Sequence, residues 1–314
     1  MISAMRALIA TRYGGNDVLE LTEVPDPKVG PDSVLVRTRA VGVNPVDWKI
    51  VRGYLDGAFP THFPLIPGWD VAGVVEAAGP AVTELAPGDE VLAYDREDHV
   101  QLGTLAELVA VPLRCVAAKP AGLSWVDAAA LPLAGLTAYQ SVHEGVGVKA
   151  GDTVLVHAAA GGVGSFAVQL AVRAGARVIG TASPANHPHV RSLGAEPVAY
   201  GDALVDRVRD LAPDGVDAVL DFVGGPAMDV TPDLLATGGR VASVADPRVL
   251  EMGGRYVFVR ADSAQLAELA RLAAAGELRV PIRETFGFEQ AVDALARVEE
   301  GHGAGKVVVD FGRQ

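Results

Sequence analysis

The 314-residue chain is 50% hydrophobic, enough apolar material for a sizeable core and for two domains. A net charge of −13 leaves little to neutralise phosphates and excludes nonspecific binding of DNA or RNA. The lone Cys115 excludes an internal disulfide and a multi-cysteine zinc site, and is expected as a small buried hydrophobe.

The first residues, Met-Ile-Ser-Ala-Met-Arg, run straight into a strand pattern with no signal-peptide architecture, so cytoplasmic residence is the expectation. The first part of the chain reads as β-rich. Runs at Ala4–Ala10, Ser33–Val43, 70–77 and 90–93 are apolar or alternating, and Pro31-Asp32 and Pro87-Gly88-Asp89 mark turns that enter strands. Near Leu123-Ser124 the pattern changes. Ser124 and Asp127 form a capping-box-like start to an apolar helix, and Leu136-Thr137-Ala138-Tyr139 opens another helical stretch. Strand and helix patterns then alternate: strands at 153–157, 177–180, 218–222, 240–245 and 256–259, helices at 164–174, 187–193, 227–235 and 264–274. That rhythm predicts an α/β fold with a doubly wound parallel sheet. A helix at 288–300 and a terminal strand at 305–311 close the chain. The expected division is a catalytic domain at 1–124, a nucleotide domain at 125–268, and a return to the catalytic domain at 269–314.

The segment Val-Leu-Val-His-Ala-Ala-Ala-Gly-Gly-Val-Gly at 154–164 is an apolar strand breaking into a glycine turn before a helix. Its spacing approaches G-x-G-x-x-G, with Ala159, Gly161 and Gly164 at the three positions. Such a turn aims unpaired helix amides at a phosphate. Residues 154–172 carry no formal charge, but His157, Ser165, Gln169 and the glycines argue for a buried strand, turn and helix instead of a membrane span.

In an NAD site the second strand usually ends in an acid that binds the ribose hydroxyls. Here the neighbourhood is Gly180-Thr181-Ala182-Ser183. Without a carboxylate there is no repulsion of a 2′-phosphate, Ser183 can donate to it, and Asn186, His187, His189 and Arg191 follow within reach. NADPH is favoured over NADH. Asp221 with Gly224-Gly225 marks another strand exit, bounding the ribose and nicotinamide channel or forming a simple turn.

Several strings carry a resemblance along almost the whole chain. They include Asn44-Pro45-Val46-Asp47, Pro67-Gly68-Trp69-Asp70-Val71-Ala72-Gly73, Gly135-Leu136-Thr137-Ala138-Tyr139, the glycine turn with Gln169-Leu170-Ala171, Leu193-Gly194-Ala195, Asp221-Phe222-Val223-Gly224-Gly225 and Gly305-Lys306-Val307-Val308. With them the chain resembles the zinc-independent, quinone oxidoreductase-like branch of the medium-chain dehydrogenases/reductases. The resemblance implies a GroES-like β-rich catalytic domain, a Rossmann-fold cofactor domain, NADPH and usually a homodimer. It implies cofactor contacts from Ala159, Gly161, Gly162, Val163 and Gly164, with Asn44 near the nicotinamide and Thr137 near the nicotinamide or phosphates. Tyr200 would lie near the adenosine, Phe222 and Val223 along the cofactor, Phe258 and Val259 would offer backbone contacts, and Lys306 would close the cofactor cleft. The usual phosphate-contacting lysine after the second strand is absent, so Asn186, His187 or Arg191 must substitute.

Zinc-dependent relatives carry Cys where this chain has Asn44, and Gly-His-Glu where it has Gly68-Trp69-Asp70, so no metal is expected. Hydride from NADPH then calls for an electron-poor carbon in a small apolar electrophile, a quinone or an activated C=C bond. Asn44 is a candidate hydrogen-bond donor to the developing oxygen, and Tyr54 a candidate donor or acid. Tyr54 also reads as an aromatic wall, Asp47 as structural, and Trp48, Phe59, Phe63 and Trp69 as substrate surface or core. A 2-enoyl thioester reductase, and an NADPH-binding sensor or structural protein with little catalysis, are the alternatives. No membrane partner is expected.

Overall fold

The computed structural model describes residues 4–301 and 303–312; the reading of the N-terminal leader at residues 1–3 lies outside them. The chain divides into two compact units. Unit 1 holds the residues through Leu133, those from Ala261 to before Gly303, and those from Lys306 onward, while unit 2 is Ala134–Arg260 with Gly303–Gly305.

Unit 1 is the β-rich, GroES-like domain. Its seven-stranded sheet runs, in spatial order, Ile282–Gly287, Lys306–Asp310, Ser33–Val43, Asp70–Ala78, Glu90–Tyr94 and Val116–Ala118, with Leu108–Pro112 also paired to Ser33–Val43. A period of two puts alternate residues on one face. Val34 and Val36 therefore join Val91, Ala93, Val109 and Val111 in one core cluster. Further along the same strand, Val41 and Val43 join Val307 and Val309 in another. A second sheet pairs Leu19–Pro25, Ala4–Ala10, Thr61–Ile66 and Val100–Leu102.

Unit 2 is the Rossmann-type α/β domain. Its strands are all parallel and ordered Glu196–Val198, Arg177–Thr181, Thr153–Val156, Val216–Asp221, Leu235–Ser243, Arg255–Tyr256. Numbered within the unit this is 3-2-1-4-5-6, whose strand order reverses between Thr153–Val156 and Val216–Asp221. Ligands of such sheets bind beyond the carboxyl ends of the strands at that reversal.

Several boundaries move from the sequence reading. The division falls at Leu133/Ala134 and Arg260/Ala261, not at 124/125 and 268/269. Helix Trp125–Ala130 buries Ala128, Ala129 and Ala130 and packs on the unit 1 strands Ser33–Val43 and Asp70–Ala78; helix Ser263–Ala274 packs on Val116–Ala118. The helix expected at 227–235 is two short ones, Pro226–Asp229 and Thr231–Leu234, because Pro232 cannot donate to a continuing helix. The strand expected at 256–259 is only Arg255–Tyr256, since beyond it Val257 donates to Ser243 O without extending the ladder. The helix at 288–300 begins as a 3-10 turn, Phe288–Gln290, before Ala291–Glu299. Ser124 does cap its helix, accepting from Asp127 N at 3.0 Å while its hydroxyl donates to Asp127 Oδ2 at 2.7 Å. Among the described residues no helix is long and apolar enough to cross a membrane.

Candidate active site

The glycine turn of unit 2 is built by short backbone contacts. His157 N donates to Leu220 O and Ala159 N to Thr181 O, each at 2.9 Å, while Ala158 N donates to Thr181 Oγ1 at 3.1 Å. Ala158 takes φ 54°, an uncommon left-handed conformation for a residue with a Cβ. Helix Gly162–Arg173 follows with Gly161 as an N-cap that has no side-chain capping bond. A Cβ at Gly164 would lie 2.1 Å from Ala158 O, so only glycine lets this helix seat against the turn. Ala159 stands at the first fingerprint position, and Gly180 compensates: a Cβ there would meet the Ala159 Cβ at 2.7 Å. An uncapped helix start against a strand end fits the pyrophosphate of a dinucleotide.

The end of Arg177–Thr181 carries no acid, and Thr181 turns its hydroxyl onto Ala158 N. Half-buried Ser183 precedes the turn Pro184–Asn186, where Asn186 N donates to Ser183 O at 2.9 Å. His187 Nε2 lies 3.3 Å from Ala182 O, Arg191 is exposed, and His189 Nε2 lies 3.0 Å from Ser165 Oγ. Tyr200, Val223 and Phe258 are exposed, Phe222 and Val259 are half-buried, and Thr137 is buried on helix Pro132–Gln140. Asp221 is a turn builder: its carboxylate accepts Val223 N, Gly224 N and the Ser243 hydroxyl, the last at 2.6 Å. His157 entered the sequence reading only as a polar residue arguing for a buried strand, with no site role. It is buried beside Asp221, its Nε2 has no hydrogen-bond partner, and burial lowers its pKa to about 4 against the opposing pull of Asp221.

Unit 1 gathers a different kind of site. Asn44 caps helix Pro45–Val51, whose first turn is favoured by Pro45 and by Asp47 Oδ2 accepting Asn44 N at 2.7 Å. The antiparallel register places Val307 opposite Val43, so Lys306 comes level with Asn44. Ala40 pairs with Ala72 on the other side, and two residues further Asp70 reaches Gly42. Three strand ends thereby deliver Asn44, Asp70 and Lys306 to one buried point.

There Asn44 Nδ2 donates to Asp70 Oδ2 at 2.8 Å and to Gly42 O at 3.3 Å. Lys306 Nζ donates to Asn44 Oδ1 and, at 3.3 Å, to Val43 O, and lies 3.7 Å from Asp70 Oδ2. Asp70 Oδ1 accepts Leu133 N at 2.8 Å, supplying an acceptor to the start of helix Pro132–Gln140. Burial raises Asp47 to about 8 and Asp70 to about 6, with Lys306 pulling both back down. The expected donor role of Asn44 meets a carboxamide already engaged at both ends. Sequence reasoning found Asn44 and Lys306 but missed their assembly with Asp47 and Asp70. The signal was there: charges standing at the very ends of apolar strands, and an Asn-x-x-Asp capping spacing.

Tyr54 is 67% exposed and meets Trp48 edge-on, ring centroids 5.9 Å apart. Trp69 is buried between Phe59 and Tyr94 and borders a cavity of about 160 Å³ in unit 1 with Pro67, Gly68, Asp95 and His99; Phe63 stays exposed against Tyr13. Among the described residues no group of three or more His, Cys, Asp or Glu side chains could hold a metal ion.

Two family models match the two domain types. Residues 30–121 match the alcohol dehydrogenase GroES-like domain and residues 193–309 the zinc-binding dehydrogenase family. A 2-methylene-furan-3-one reductase of Solanum lycopersicum is 38% identical over 98% of this chain and 79% of its own length. An NADPH-dependent alkenal/one oxidoreductase of Arabidopsis thaliana is 37% identical over 97% of this chain and 79% of its own. The structure of the quinone oxidoreductase from Coxiella burnetii superposes with a TM-score of 0.88 at 32% identity, covering 98% of this chain and all of that one. This chain belongs to the zinc-independent, quinone oxidoreductase-like branch of the medium-chain dehydrogenases/reductases. It is accordingly an NAD(P)H-linked oxidoreductase with a GroES-like and a Rossmann-type domain.

Proposed function

We propose that this chain is an NADPH-dependent reductase of quinones and of C=C bonds activated by a carbonyl, working without a metal. The observation that carries the reading is the acid-free end of Arg177–Thr181 beside the uncapped helix start at Gly161. Relatives named for alkenal/one, furanone and quinone reduction support the substrate class. NADPH, when bound, supplies the hydride.

In this reading the amides at Gly162 and Val163 receive the pyrophosphate, and the Ser183 hydroxyl with Asn186, His187 and Arg191 holds the 2′-phosphate. Thr137, Tyr200, Phe222, Val223, Phe258 and Val259 line the remaining length of the site. Asn44 presents a polar wall held from behind by Asp70 and Lys306. The Tyr54 hydroxyl donates the proton that the substrate oxygen gains as the electron-poor carbon is reduced, giving a hydroquinone or an enol, and the enol tautomerises to the saturated carbonyl. A homodimer and a cytoplasmic setting belong to the same reading. They are supported by exposed Phe258 close to the edge strand Arg255–Tyr256 and by a single, buried, unbridged cysteine.

Spectrophotometric oxidation of NADPH with a panel of quinones and enones tests the reading. Turnover well above buffer is expected, and its absence despite measurable NADPH binding would overturn the catalytic assignment. Tyr54→Phe should lower kcat about 100-fold with little change in cofactor affinity. Unchanged kcat across pH would leave Tyr54 as a wall.

A further inference from the structure

Asn44, Asp47, Asp70 and Lys306 are 2%, 0%, 0% and 4% exposed, so their hydrogen bonds must close among themselves and the adjoining backbone. They nearly do. The three ammonium hydrogens of Lys306 face Asn44 Oδ1, Val43 O and Asp70 Oδ2. The two amide hydrogens of Asn44 go to Asp70 Oδ2 and Gly42 O, Leu133 N supplies Asp70 Oδ1, and Asn44 N supplies Asp47 Oδ2. One atom is left over: Asp47 Oδ1 is buried without a partner.

Charge counting leads to the same atom. Two carboxylates facing one ammonium leave an uncompensated negative charge where no water reaches, which buried sites avoid by taking up a proton. Donors already occupy both oxygens of Asp70, so the proton belongs on Asp47 Oδ1. A neutral hydroxyl without a partner is far less costly there than a bare charge.

We propose that Asp47 is held as a neutral carboxylic acid, and that its proton allows Asp70 and Lys306 to keep the Asn44 carboxamide in one orientation, making all three positioning residues for the reaction. The positioning half rests on the proposed function; the protonation half does not. The burial-driven shifts agree, leaving Asp70 ionised and Asp47 neutral at neutral pH, while burial lowers Lys306 against the pull of both acids. Among the described residues Tyr94, from strand Glu90–Tyr94, also faces the cluster, and burial keeps its hydroxyl protonated. On the neighbouring helix Ala291–Glu299, Glu299 is engaged by Arg52. In alkaline solution Asp47 loses its proton, two carboxylates compete for one ammonium, and the hold on Asn44 loosens.

Difference infrared spectra of wild type minus Asp47→Asn, recorded without cofactor or substrate, test the protonation directly. The expected result is the C=O stretch of an undissociated carboxylic acid at neutral pH, absent in the variant and titrating away in alkaline buffer. No such band would overturn the proposal whatever the enzyme reduces. For the positioning role, wild-type kcat should fall about tenfold per pH unit above the Asp47 titration, and this alkaline limb should disappear in Asp47→Asn. Lys306→Met should lower kcat about 100-fold while the NADPH dissociation constant changes much less. The double variant Lys306→Met/Asp70→Asn, with both charges gone, should regain thermal stability without regaining turnover. Restored turnover would reduce the pair to a structural role and overturn positioning. Absence of quinone and enone turnover in the wild-type chain would instead fail the functional reading, and the infrared band would still decide Asp47.

Discussion

The buried cluster of unit 1 and the glycine turn of unit 2 handle polar groups in opposite ways. In the cluster of Asn44, Asp47, Asp70 and Lys306 every side-chain polar atom but Asp47 Oδ1 finds a partner inside the protein, so the region is nearly complete before any ligand arrives. At Gly161 the helix start carries no side-chain cap, leaving its amides for a ligand. Closed networks hold shape; open termini bind. A reductase needs both, one to fix a wall and one to hold a charged cofactor.

Variants can break that contrast, beginning with the cluster. Asp70→Ala strands the Lys306 ammonium and two backbone or amide donors, so chemical denaturation should show a loss of about 3–5 kcal/mol. At the turn, Gly164→Val drives a Cβ into Ala158 O and should cost about 3 kcal/mol, with NADPH affinity lost alongside stability in a calorimetric titration.

Ser183→Asp sharpens the contrast without touching packing. A carboxylate at that half-buried position would repel a 2′-phosphate and accept ribose hydroxyls, so the ratio of NADPH to NADH dissociation constants should swing by about 10–100-fold toward NADH. Equal constants for the two cofactors in wild type would remove the basis for the NADPH assignment.

The pH response separates the regions further. His157 has a folded-state pKa of about 4, below its unfolded value, so its neutral form contributes stability that is present above about pH 6.5 and lost as pH falls toward 4. Asp47 has the opposite sign: its folded pKa of about 8 lies above its unfolded value, so its contribution is complete below about pH 4 and lost as pH rises through 8. Melting temperatures across pH should show His157→Gln removing a loss of stability as pH falls from about 6.5 to 4, and Asp47→Asn removing a loss as pH rises from about 4 to 8. The smallest effect is expected at the surface. Arg271→Ala removes exposed, solvent-screened pairs with Glu268 and Glu277 and should leave the melting temperature essentially unchanged.

Much of this was legible along the chain. The alternation of strand and helix patterns, with one apolar run breaking into a glycine turn, announced the Rossmann unit, and Ser124 with Asp127 announced a cap that the fold uses. Local chemistry reports such features because the residues involved are neighbours in sequence. Helix Pro45–Val51 was present in the same way, as an Asn cap, a Pro at the first turn and an Asp three residues on. It was read only as a family string because seven residues are too few to show periodicity.

The cluster was not legible, for a physical reason. Asn44 and Lys306 are 262 positions apart and Asn44 and Asp70 are 26 apart, and no local propensity connects them. Sheet register brings them together: Val307 opposite Val43 and Ala40 opposite Ala72 set which strand ends coincide, and a slip of one residue would point these charges elsewhere. The sequence alone was enough to specify an acid-free nucleotide strand, a glycine turn and the absence of a cysteine zinc set, since each depends on residue type at close spacing. Only the tertiary structure decided that Lys306 faces Asn44 and Asp70, and that Asp47 Oδ1 is buried without a partner, because burial and partnership exist only once distant strands have paired.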